Sequence, residues 1–145
     1  MCLLPVSCSQ SVGLRRYVSS CVLDASALLA LLQGEPGADC VADGVAQGAV
    51  ISAVNLSEVV AKLSEKGMSG DSIHGVLDPL GMDVRALDTD LAYTAGVLRP
   101  LTRSAGLSLG DRACLALSQA LRLPVLTTDR SWESLRLDLT VQVVR

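Results

Sequence analysis

Tyr17-Val18-Ser19-Ser20-Cys21-Val22-Leu23-Asp24-Ala25-Ser26 runs from a stretch of strand-forming residues straight into an acid and a hydroxyl. Val18, Cys21, Val22 and Leu23 suit burial, and three apolar residues in succession predict a strand covered on both faces rather than on one. Asp24 ends that strand. Ser26 is placed to cap a helix over residues 27–33, which Gly34 terminates. Pro36 then suits the first position of another helix.

The same alternation repeats outward from this segment. Residues 48–52 read as a second buried strand, followed by a helix with Leu56, Val59, Val60 and Leu63 on one stripe and Glu58 one turn before Lys62. Gly67 ends it, and a further helix runs from Asp71 towards Asp78, before Pro79. Residues 82–87 form a candidate third strand. Thr89 suits the cap of a helix through Leu98, broken near its end by Pro100. Asp111–Leu121 is the clearest helix, Pro124 precedes a strand at residues 125–127, and residues 139–144 supply the last strand. Short buried strands alternating with helices predict a three-layer α/β/α sandwich around a mostly parallel sheet of about five strands, with right-handed crossovers.

The 145 residues suffice for one ordinary domain. No repeat or low-complexity linker divides them, so residues 17–145 read as one unit. Residues 1–16 carry Arg15-Arg16 after their apolar part, the reverse of signal-peptide order, and read as a loose leader or as lying upstream of the domain start. Hydrophobic residues make up 50% of the chain, with no Phe, one Trp and two Tyr, which argues against disorder. So few rings leave little for stacking bases, so a nucleic acid would be held through its phosphates. A net charge of -3 counts against a general nucleic-acid binder without excluding a nuclease whose acids hold a cation. The five scattered cysteines favour small buried thiols in a reducing compartment, the cytoplasm, over a disulfide framework. The only histidine, His74, stands apart from any cysteine pair, which disfavours zinc. Nothing approaches a membrane-spanning length. The aliphatic bias hints at a further buried surface, a homodimer seam or a partner groove.

Four carboxylates punctuate the pattern: Asp24 and Asp129 after strands, Glu58 and Asp111 near helix starts. Each has an ordinary reading. Asp24 suits a strand-to-helix turn, Glu58 a pair with Lys62, Asp111 the positive end of its helix, and Asp129 a cap or turn. Together they gather at the carboxyl ends of parallel strands, where ligand sites form. Acids crowded there repel one another unless a hard cation, Mg²⁺ or Mn²⁺, compensates them. Ser26, Thr127 and Thr128 add hydroxyls, and Asn55 lies one turn before Glu58; capping and β-propensity explain these residues equally well. Arg112 and Arg130 are candidate phosphate contacts or plain surface.

Four segments, Val22–Leu28, Ser52–Val59, Ser108–Leu115 and Val125–Trp132, occur in the order seen in PIN-domain ribonucleases. Over about residues 18–145 the chain resembles that family, and especially the toxin subunit of VapBC-type bacterial toxin–antitoxin pairs. The resemblance implies an acidic site of Asp24, Glu58, Asp111 and Asp129 with Ser26 and Thr127 as polar support. It also implies Mg²⁺ or Mn²⁺ dependence, RNA as substrate, a homodimer, and inhibition by an antitoxin. The reaction expected is phosphodiester hydrolysis, with water attacking phosphorus in line while the cation steadies developing charge. A receiver domain is disfavoured because no lysine follows Lys66, and a haloacid-dehalogenase-like phosphatase because Asp24-Ala25-Ser26 lacks the second acid. The non-enzyme alternative is a degenerate PIN domain that binds RNA or a protein without cleaving.

Overall fold

In the computed structural model, which describes residues 19–145, the first strand forms over Cys21–Leu23 (β1). The expectations for the leader and for Tyr17 and Val18 lie outside the described residues. There follow α1 (Ala25–Gln33), α2 (Ala38–Ala46), β2 (Ala49–Ser52), α3 (Ala53–Glu65), α4 (Gly70–Leu77), β3 (Asp83–Arg85) and α5 (Thr89–Val97). The chain continues through α6 (Arg99–Thr102), α7 (Leu109–Leu121), β4 (Val125–Thr127) and β5 (Val141–Val143). The strands pair in the order β3-β2-β1-β4-β5, every pairing parallel. The expected sandwich is therefore present.

Strand alternation builds the two helical layers. Cys21 and Leu23 of β1, Ala49 and Ile51 of β2 and Leu126 of β4 point to one face, where they meet Leu28, Val41, Val59 and Leu63. Val22, Val50 and Val125 point to the other, against Ala95, Leu98, Leu115 and Trp132. The three central strands are buried throughout, which is why their sequences show no polar alternation. At the sheet edge, β3 is exposed along its length.

Local chemistry moves several of the expected helix starts. Asp24, not Ser26, takes the N-cap position of α1, in an extended conformation and without a side-chain cap bond. Pro36 stays in a turn, because Gly37 at φ 96° caps α2 and the helix starts at Ala38. Asp88 rather than Thr89 caps α5 through its side chain. Pro100 does break the helix, leaving α6 as a separate turn. Cys21 and Cys114 are buried free thiols, but Cys40 is disulfide-bonded, so the expectation of thiols fails there. Among the described residues no helix is long and apolar enough to cross a membrane.

Candidate functional site

Asp24 follows the central strand, and the parallel register Leu23↔Leu126 sets it beside Thr127. Its backbone N–H donates to Leu126 O at 3.0 Å, extending the ladder by one bond. Its side chain is 3% exposed, and Oδ2 accepts from Ser26 Oγ at 2.6 Å and Thr127 Oγ1 at 2.9 Å. Each hydroxyl also accepts a backbone N–H: Ser26 that of Thr128 at 3.0 Å, Thr127 that of Asp129 at 3.1 Å. With both hydroxyl protons committed to Asp24, the 3.2 Å approach of the two oxygens carries no proton of its own. Ser26 and Thr127 thus tie α1 and the β4 turn to one carboxylate oxygen.

Burial pushes the Asp24 carboxyl up to about 6, and the charge of Asp111 adds to the rise; the bonds from Ser26 and Thr127 and the Ala25 backbone oppose it. Asp111 lies in the first turn of α7, where a capping box closes. Ser108 Oγ accepts the Asp111 N–H at 3.2 Å, and Asp111 Oδ2 accepts the Ser108 N–H at 2.9 Å. The sequence Ser108-x-x-Asp111 already spells that box.

Glu58 reaches the same end of α7 from α3. Asn55, fully buried one turn earlier, donates through Nδ2 to Glu58 Oε2 at 3.1 Å and to Gly110 O at 3.0 Å. Below these acids lies Cys114, one turn along α7 from Asp111. Burial drives its thiol well above the usual range, and the charges of Asp24, Asp111 and Glu58 push in the same direction. Three carboxylates from separate parts of the chain therefore bear on one buried thiol. The i, i+3 spacing of Asp111 and Cys114 would have revealed the shared face; the approach of Glu58 to Gly110 has no sequence signature.

Asp129 is exposed, and its Oδ1 caps a short 3-10 turn by accepting the Ser131 N–H at 2.9 Å. Its link to the other acids runs through its backbone and Thr127. Arg112 is half-buried, with Nη1 donating to Ala95 O at 3.0 Å. Arg130 is exposed and lines an open cavity of about 560 Å³ with Thr128, Asp129 and Arg145.

The Arg85–Asp83 ion pair and the His74–Asp78 hydrogen bond involve none of these acids. No group of three or more His, Cys, Asp or Glu side chains among the described residues is disposed to close around one ion. As donors the acids are hard oxygens, the chemistry that Mg²⁺ and Mn²⁺ take.

Residues 21–136 match the PIN domain family. No curated protein matches the chain. Among solved structures, it is similar to the DNA-bound VapBC of Salmonella typhimurium, with TM-score 0.66, 17% identity and cover of 85% of this chain and 96% of that one. VapBC2 of Rickettsia felis bound to a promoter DNA fragment gives TM-score 0.65 at 15% identity, covering 83% and 96%. A toxin–antitoxin complex from Klebsiella pneumoniae gives 0.62 at 20%, covering 79% and 92%. At such identities the likeness is one of fold. The family match spans most of the chain and contains all four acids, and the chain belongs to the PIN domain family.

Proposed function

We propose that residues 17–145 form a Mg²⁺- or Mn²⁺-dependent endoribonuclease, the toxin of a toxin–antitoxin pair. The observation that carries this reading is the conflict at Asp24. Burial at the end of the central strand raises its carboxyl and the Asp111 charge adds to the rise, yet two hydroxyls are spent on orienting its oxygen. Holding a charge at such cost suits a carboxylate kept for a cation.

Asp24, Asp111 and Glu58 would hold the ion, with Asp129 approaching from the β4 side. The cation would supply charge stabilisation at phosphorus and at the departing oxygen. Ser26 and Thr127 fix Asp24 in one orientation, which spares the reaction a rearrangement. Arg130, which lines the open cavity beside Asp129, is the arginine proposed to meet a substrate phosphate, while the bond of Arg112 to Ala95 O suits a packing role. The scarcity of rings agrees with a substrate gripped by its backbone.

The solved relatives include VapBC and other toxin–antitoxin complexes, and by that likeness the partner is a cognate antitoxin. An apolar hollow of about 140 Å³ between α3 and α4, lined by Leu56, Val60, Ile73 and Leu77, offers such a partner a seat. A homodimer is supported by the stripe Tyr93, Val97 and Leu101, exposed by 74%, 71% and 59% at four-residue intervals. The reaction belongs in the cytoplasm, where RNA and antitoxin are made.

The test is cleavage of native total RNA with Mg²⁺ or Mn²⁺, mapped by end sequencing, with Asp24→Asn purified in parallel. Discrete cuts by the unaltered protein alone establish a selective ribonuclease. Folded, partner-free protein that binds RNA without cutting it would make the chain a binding module.

A further inference from the structure

Gly110 sits in the first turn of α7, where nothing in the backbone calls for glycine: its φ is not in the left-handed region, unlike that of six other glycines among the described residues. A side chain there would first meet Glu58. A Cβ on Gly110 would lie 2.7 Å from Cδ of Glu58 and 2.9 Å from Oε2, and closer still to Oε1. The glycine thus leaves the space that the Glu58 carboxylate fills.

Asn55 closes that space from the other side. Its Nδ2 forks between Glu58 Oε2 at 3.1 Å and Gly110 O at 3.0 Å. Both acceptors lie on the nitrogen side, which fixes the amide orientation, since the reverse would set oxygen against oxygen. The Asn55 Oδ1 is buried and has no hydrogen-bond partner, so the amide satisfies Glu58 and α7 better than it satisfies itself. Glu58 is consequently held against the positive end of α7, beside Asp111.

We infer that Gly110 and Asn55 are positioning residues which together seat Glu58 at the N-terminus of α7. Gly110 acts by leaving room and Asn55 by its hydrogen bond. The inference deepens the nuclease reading and rests on it only for its effect on turnover. Glu58 is a flexible chain at its far end, so a methyl group at position 110 evicts its carboxylate instead of breaking the fold. Alanine is also the better helix former, so α7 is not weakened.

The experiment compares Gly110→Ala, Glu58→Ala and the double variant, following the Asn55 side-chain amide by ¹⁵N NMR alongside RNA cleavage and thermal unfolding. In Glu58→Ala, the amide proton that faces Glu58 loses its acceptor and moves upfield. Gly110→Ala is expected to reproduce that shift with an unfolding midpoint no lower than the parent's. Turnover should fall by about 10- to 100-fold, as when the partners of a metal-binding side chain are removed. Added to Glu58→Ala, the alanine should cost nothing more. An unmoved amide resonance in Gly110→Ala, or a further loss of turnover in the double variant, overturns the inference. If the parent protein cleaves no RNA, the nuclease reading fails while the amide comparison still decides the seating. Should Gly110→Ala fail to fold, Asn55→Ala with and without Glu58→Ala carries the same non-additivity test through turnover.

Discussion

Asp24 sets burial against charge. A carboxyl raised from 3.8 to about 6 in the fold keeps its proton where the unfolded chain has released it. Between about pH 4 and pH 6 the folded state then binds more protons than the unfolded one, so this group makes stability fall as pH rises. Above that window the penalty levels off on the order of 3 kcal/mol, about two pH units at 1.4 kcal/mol each. In chelator, Asp24→Asn should therefore gain stability relative to the parent as pH rises from 4.5 to 7. Denaturant unfolding at both pH values checks this, and a constant difference would remove the conflict assigned to Asp24. Mn²⁺ should raise the parent's unfolding midpoint more at pH 7 than at pH 5, because the ion binds the ionised carboxylate. Asp24→Asn should lose most of that gain.

At the scale of helices and strands, two arginines that look alike in sequence part company. Arg112 joins α7 to the end of α5 through Ala95 O, whereas Arg130 projects into the open cavity beyond β4. Arg112→Ala should cost about 1–3 kcal/mol of stability, the price of a partly buried carbonyl left without its donor. It should leave the salt dependence of RNA binding alone. Arg130→Ala should do the reverse, lowering the slope of log affinity against log salt by about 0.7 for one lost single-strand phosphate contact at unchanged stability. Neither fate was legible beforehand, since Arg-x-x-x spacing does not say which helix a guanidinium will meet. The central strands were legible because burial on both faces leaves an unbroken apolar signature at Cys21–Leu23, Ala49–Ser52 and Val125–Thr127. Asp24 and Ser26 could be paired from spacing alone. Glu58 over Gly110 could not, because the Asn55–Gly110 bond that accompanies it spans 55 residues.

For the molecule as a whole, the apolar stripe on α5 and α6 should govern assembly. Val97→Glu is expected to convert a dimer into a folded monomer in sedimentation velocity; an unchanged mass would take the seam elsewhere. The sheet order carries a different consequence. Its central pair joins the second strand from the end of the chain to the first, and the bond from Thr127 to Asp24 closes over 103 residues. Such pairing is slow, because distant contacts form only after the intervening chain is ordered. On the ribosome, Asp24 is made long before Thr127 exists to orient it. Whatever chemistry needs that oriented carboxylate therefore waits for β4 to be made and docked beside β1.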